Sequence, residues 1–258
     1  MTAQKKRKKV ARKDRQLTFL GHLEELRGRI IKSAIFLAAC CVLAYGYVDQ
    51  VMFFLIKPIG KVIFTSPGEA FSAYLTLALF GGIFLAMPVI LYQTWQFVSA
   101  GLTTIEQKYI FALIPFSIVL FFAGSAFGYF IMLPLMMKFF LSFSTSFLVP
   151  MVTISKYISF IGTIVLSCGL IFELPLAIIF LTKVGIITPD FLIEKRKYAV
   201  VGVFIVSAVL TPSPDCISQV LMAIPLLFLY EISVILAKII CRFEAGKANE
   251  NLSRSSTP

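Results

Sequence analysis

In a chain that is 59% hydrophobic, the side chains able to do chemistry are few, and they fall into four groups. Glu24, Glu25 and Arg27 lie near the start, and Glu106 sits in a turn between two apolar runs; together they offer an acidic surface that a basic peptide can meet with charge-assisted, fork-shaped guanidinium pairs. The simpler reading keeps Glu25 paired with Arg29 at i, i+4 on a solvated helix face, with Glu106 as an ordinary loop charge. Gln93, Trp95, Gln96 and Phe97 close the second apolar run; two glutamines at one helix end suit a groove, and Trp95 suits a membrane-interface belt. Glu173 interrupts the run from Ile158 to Thr182, within Phe172-Glu173-Leu174-Pro175. An acid at the centre of a membrane span costs about 2.5 to 3.5 kcal/mol on insertion scales, so it must be neutral, paired, or turned toward protein or water. Thr211-Pro212-Ser213-Pro214-Asp215 forms a short turn before Gln219, where Asp215 can cap the following helix.

The elements that must position these groups are membrane helices. The chain has 258 residues, 26 of them Phe, and a mean hydropathy of +0.90, far from a soluble domain. Six spans are predicted: about Ile30 to Val48, Phe71 to Val98, Tyr109 to Met137, Ile158 to Thr182, Tyr198 to Leu210, and Ile217 to Ala237. The fifth is short. Ahead of the first, Phe19, Leu23, Leu26 and Ile30 recur at helical spacing, which predicts a short amphipathic helix from Leu17 to Ile31 lying at the interface. Prolines at 88, 115, 134, 175 and 225 within the spans predict kinked helices and a curved bundle. Residues 1–16 read as a disordered basic tail, residues 17–242 as one membrane domain, and residues 243–258 as a second tail.

Charge and cysteine usage narrow the function. The formal charge of +11 gathers at the ends of apolar runs, which points to the membrane surface and away from nucleic acid. Of 24 Lys and Arg residues, only Lys57, Lys61, Lys138 and Lys156 fall on the face opposite the N-terminus, so both termini are expected in the cytoplasm. The five cysteines, Cys40, Cys41, Cys168, Cys216 and Cys241, have no ligand spacing and read as small buried hydrophobes. With one histidine, His22, and no metal, phosphate or nucleophile motif, neither an enzyme nor a cofactor is expected. One alternative remains from the residues alone, a proton-coupled small-molecule permease carrying protons on Glu173; unlike spans and the lack of internal repeats count against it.

Six short motifs, in order, carry a resemblance. They are His22-Leu23-Glu24-Glu25-Leu26-Arg27, Pro67-Gly68-Glu69-Ala70-Phe71, Pro88-Val89-Ile90-Leu91-Tyr92-Gln93, Gly101-Leu102 with Glu106, Phe172-Glu173-Leu174-Pro175, and Leu210-Thr211-Pro212 with Asp215 and Ser218-Gln219. Together they resemble the TatC family of the twin-arginine translocation system, from about Leu17 to Arg242. The resemblance implies a six-helix, cup-shaped protein of the bacterial cytoplasmic membrane that binds twin-arginine signal peptides and assembles with single-span TatA-type and TatB-type subunits and with further copies of itself. Folded cargo then crosses the membrane on the proton motive force. By position, Glu25 and Glu106 resemble the contacts for the arginine pair, with Arg27 and Phe97 beside them. Pro58, Pro67, Glu69 and Phe71 resemble the ordered periplasmic cap. Glu173 resembles the buried acid facing the concave side, and Thr211 and Gln219, with Gln93, a polar patch where partner helices dock. The chain departs from the family pattern at Ala100 (usually Pro), Thr103 (usually Tyr) and Gln107 (usually a base), and Ser213 lengthens the last turn by one residue.

Overall fold

The computed structural model describes residues 19–57, 62–102, 104–145, 150–211 and 215–255, without the side chains of 19, 20, 104–106, 108, 109 and 243–255. Ten α-helices are described: α1 (Phe19–Gly46), α2 (Val48–Ile56), α3 (Pro67–Ala100), α4 (Thr104–Phe127), α5 (Leu133–Leu141), α6 (Ile154–Ile171), α7 (Leu174–Lys183), α8 (Pro189–Glu194), α9 (Arg196–Leu210) and α10 (Cys216–Ser255). Pro58, Pro212, Ser213, Thr103 and the basic tail of residues 1–16 lie outside the described residues.

The six predicted spans are present as helical crossings, and the prolines explain how they are divided. The third crossing is α4 and α5 joined by a π-helical turn, Gly128–Met132, directly before Pro134; the wider turn takes up the missing proline N–H. The fourth is α6 and α7, broken at Phe172 and Glu173 so that Pro175 falls in the first turn of α7, where it has no hydrogen bond to lose. Pro88, Pro115 and Pro225 sit inside α3, α4 and α10. At the end of α7, Gly185 takes φ 77°, a left-handed turn that glycine adopts without strain.

Among the described residues, five crossings are long and apolar enough to span a bilayer. The fifth predicted span is the 15-residue helix α9, about 22 Å at 1.5 Å per residue, shorter than the roughly 30 Å hydrocarbon core.

Two sequence expectations are corrected here. No separate interfacial helix precedes the first span: Phe19–Gly46 is one continuous helix of 28 residues, packed along α3. At the other end, the helix of α10 continues to Ser255, over much of the stretch expected as a tail; Glu, Ala, Lys and Arg in that stretch are strong helix formers.

Hydrogen bonds among the described residues tie the two connecting segments and their flanking helices at the face opposite the N-terminus. Ile63 N–H donates to the Val152 carbonyl (3.1 Å) and Ile154 N–H to the Ile63 carbonyl (2.9 Å), while the Tyr157 hydroxyl donates to the Leu55 carbonyl (2.7 Å). Glu69, in the first turn of α3, accepts from the backbone N–H and the hydroxyl of Thr65, both at 2.7 Å, closing the turn that Pro67 opens. Of the residues expected in a cap, Pro67 and Glu69 shape this turn, while Phe71 is 62% exposed.

Helices approach closely where glycine allows it. A Cβ on Gly82 of α3 would lie 2.7 Å from the Cα and 2.9 Å from the N of Cys41 in α1, so backbone meets side-chain-free backbone there. Gly162 of α6 receives the ring of Phe80 in the same way. Such approaches are what bind helices in lipid, where burial of apolar area gives little preference for protein over acyl chains. Between α1, α2, α3, α4 and α6 the bundle leaves an apolar recess of about 800 Å³, bordered by Leu43, Tyr47, Phe80, Phe84, Phe122 and Val165. Gly82→Ala is expected to push α1 off α3, costing about 1 to 3 kcal/mol and lowering the thermal midpoint in detergent; an unchanged midpoint would contradict the close packing.

Candidate functional site

The N-terminal face carries one dense polar site, built on α1 and α3. Residues four apart on a helix share a face, so Glu25 and Arg29 stand together on α1. The Arg29 Nε donates to Glu25 Oε1 at 3.0 Å, and its Nη2 contacts the same oxygen. Gln93 and Gln96, three apart near the end of α3, face the same guanidinium: Arg29 Nη1 donates to Gln93 Oε1 (3.1 Å) and to Gln96 Oε1 (2.6 Å). The Arg29 and Glu25 side chains are 15% and 23% exposed. Next to them the His22 ring stacks on Phe97, with centroids 4.3 Å apart.

The structure thus brings together Glu25, Gln93 and Phe97, and adds Arg29, Gln96 and His22. Arg27 does not join them. Two residues beyond Glu25, it is rotated by about 200° and is exposed. Glu106 lies in the first turn of α4, and its side chain is outside the described residues. The turn leading to it is closed by Gln107, whose amide donates to the carbonyls of Ser99 (3.1 Å) and Leu102 (3.2 Å). The departure from a basic residue at this position therefore adds hydrogen bonds to carbonyls at the end of α3 and in the turn after it.

A second polar chain begins one residue from Gln96. Trp95 is not an interfacial belt residue: it is 8% exposed, its ring packs edge-on against Phe180, and its indole N–H donates to Ser117 Oγ at 3.0 Å. Ser117, fully buried on α4, donates in turn to Glu173 Oε2 at 2.6 Å. The acid in the fourth crossing is thereby held inside the bundle, at the break between α6 and α7, and is not among the residues bordering the recess. Its other oxygen, Oε1, is buried without a hydrogen-bond partner among the described residues. A single serine in an apolar run gave no sequence signal of this role.

Thr211 and Gln219 meet in a third place, between α9 and α10. The Thr211 hydroxyl donates to the Ser207 carbonyl (2.8 Å), the Gln219 amide to the Phe204 carbonyl (2.9 Å), and the Ser207 hydroxyl to the Gln219 carbonyl (2.6 Å). Asp215 caps α10 as its position suggested, accepting from Ser218 N–H at 2.7 Å. Val209, Ile205 and Phe228 on these two helices are 79%, 61% and 67% exposed. Gln93, grouped with Thr211 and Gln219 in the sequence reading, belongs to the Arg29 site. Of the cysteines, Cys40 and Cys168 are buried, Cys41 and Cys241 partly so, and Cys216 is exposed, so the expectation of uniform burial does not hold.

Fold and site define a multi-pass membrane protein whose polar groups are arranged to hold a guanidinium and a buried acid. The sequence model of the Sec-independent protein translocase protein (TatC) matches residues 21–225, and the chain belongs to the TatC family. It is a bacterial membrane protein. The Sec-independent protein translocase protein TatC of Carboxydothermus hydrogenoformans is 45% identical over 231 residues, 88% of this chain and 95% of that protein. That of Aquifex aeolicus is 40% identical over 229 residues, 86% of this chain and 95% of the relative. A crystal structure of the twin arginine translocase receptor TatC aligns with a TM-score of 0.77 at 39% identity, covering 84% of this chain and 98% of the other.

Removing the middle of the buried relay tests it. Ser117→Ala strands the Trp95 N–H and Glu173 Oε2, at about 1 to 3 kcal/mol. The expected result is a lower thermal midpoint in detergent together with a shifted emission of Trp95, the one tryptophan in the chain; an unchanged spectrum would show that the indole is not bonded there.

Proposed function

We propose that this protein is the receptor subunit of a twin-arginine translocase: it binds the twin-arginine signal peptides of folded proteins and organises their export, driven by the proton motive force, without catalysing a reaction. The observation that carries this reading is the half-buried Glu25 carboxylate, held with two glutamine oxygens on the N-terminal face in an arrangement that already accommodates a guanidinium. Glu106, in the first turn of the neighbouring helix, supplies the second carboxylate for the arginine pair. The bias of basic residues toward this face supports placing it, with both termini, in the cytoplasm, where signal peptides arrive.

Two charge-assisted contacts of about 1.5 to 3 kcal/mol each do not exceed the cost of association, so the peptide must gain further affinity from its apolar segment, for which the apolar recess of about 800 Å³ provides room. TatA-type and TatB-type single-span subunits are the partners we assign to the exposed apolar flanks of α9 and α10 around Thr211 and Gln219; a polar patch set in an apolar surface is a helix-docking feature in lipid. Self-association and contact with lipid complete the assembly. Glu25→Ala and Glu106→Ala are each expected to abolish crosslinking to a twin-arginine peptide while the protein still inserts. Unchanged crosslinking in both variants would remove the basis of this function.

A further inference from the structure

The site that would receive a guanidinium is already filled by one. Arg29 places its Nε and Nη2 on Glu25 Oε1 and its Nη1 between Gln93 Oε1 and Gln96 Oε1, so one carboxylate oxygen and two amide oxygens surround a planar cation. These acceptors come from two helices, and the ion pair is largely shielded, at 15% and 23% exposure. Nothing in the cage is particular to Arg29 except its tether, which keeps the guanidinium at a high effective concentration. An arginine on a peptide presents the same group and needs the same oxygens.

We infer that Arg29 is a resident competitor, and that one arginine of the signal peptide binds by exchange, replacing Arg29 in the cage of Glu25, Gln93 and Gln96. The inference rests on the receptor reading and deepens it. Exchange lowers the apparent affinity of every basic ligand by the same factor, so only a ligand that bonds the cage strongly occupies it. A ligand has to displace a bonded arginine, and a lysine ammonium, a compact point charge without the planar fork, cannot replace all of its bonds. Basic peptides of ordinary composition are therefore held off by the protein's own side chain. The displaced Arg29, long and near the end of the bundle, reaches water or lipid phosphates along its aliphatic stem.

The experiment uses the full chain in detergent and measures binding of a fluorescent twin-arginine peptide and of its Lys-Lys counterpart by anisotropy. Arg29→Gln and Arg29→Lys are both tested, since the first leaves Glu25 without a cation and the second keeps the charge. The expected result is that a folded variant binds the twin-arginine peptide more tightly than the wild type, by about tenfold, equivalent to about 1.4 kcal/mol, with the Lys-Lys peptide gaining by a similar factor. Low-millimolar guanidinium ion should compete with the peptide in Arg29→Gln and have little effect on the wild type. Equal or weaker binding by both variants overturns the exchange and makes Arg29 a positioning residue for Glu25, with the receptor reading intact. No binding of the peptide by the wild type defeats the receptor reading itself and the exchange with it.

Discussion

A guanidinium and a carboxylate at the end of an apolar helix pair have to be paired or solvated, and here the pairing is done between helices. Arg29 reaches from α1 to Gln93 and Gln96 of α3 while holding Glu25. Hydrogen bonds involving a charged group contribute about 1.5 to 3 kcal/mol, and these fasten the N-terminal turns of α1 against α3. With the approach at Gly82 and Cys41 fixing the middle of the same helix pair, the first crossing and its N-terminal turns have no reason to part, which is why they form one helix.

From that junction α3 serves as the spine. Its 34 residues reach about 51 Å at 1.5 Å per residue, more than the hydrocarbon thickness, and each end is anchored by polar groups: Glu69 on Thr65 at one face, Gln93 and Gln96 on Arg29 at the other. Trp95, between those two glutamines, turns inward and begins the path through Ser117 to Glu173. The surface site and the buried acid are consequently attached to the same turn of the same helix. Two hydrogen bonds thus connect that turn to Glu173, whose Oε1 is buried without a hydrogen-bond partner among the described residues.

Much of this was legible in the sequence. Apolar length gave the crossings, two of the five span prolines, Pro134 and Pro175, adjoin interruptions while Pro88, Pro115 and Pro225 lie inside continuous helices, and the order of short motifs gave the family that the comparison then established. Arg27 was expected beside Glu25, but helical rotation turns it away. Other features were hidden for physical reasons. Hydropathy cannot distinguish a helix face turned to lipid from one turned to protein, so Trp95 looked like an interfacial residue and Ser117 looked like nothing. The i, i+4 pair of Glu25 and Arg29 was visible but looked like an ordinary solvated face, because the two glutamines that complete it lie more than sixty residues away. Cysteine burial depends on the same unseen neighbours, which is why Cys216 broke the pattern.

The most direct test of the account is the structure of this protein bound to a twin-arginine peptide in a lipid bilayer mimic. A peptide guanidinium is expected within hydrogen-bond distance of Glu25, Gln93 and Gln96, with the Arg29 side chain turned out of the cage. A complex in which the peptide is bound elsewhere while Arg29 still holds all three would contradict it.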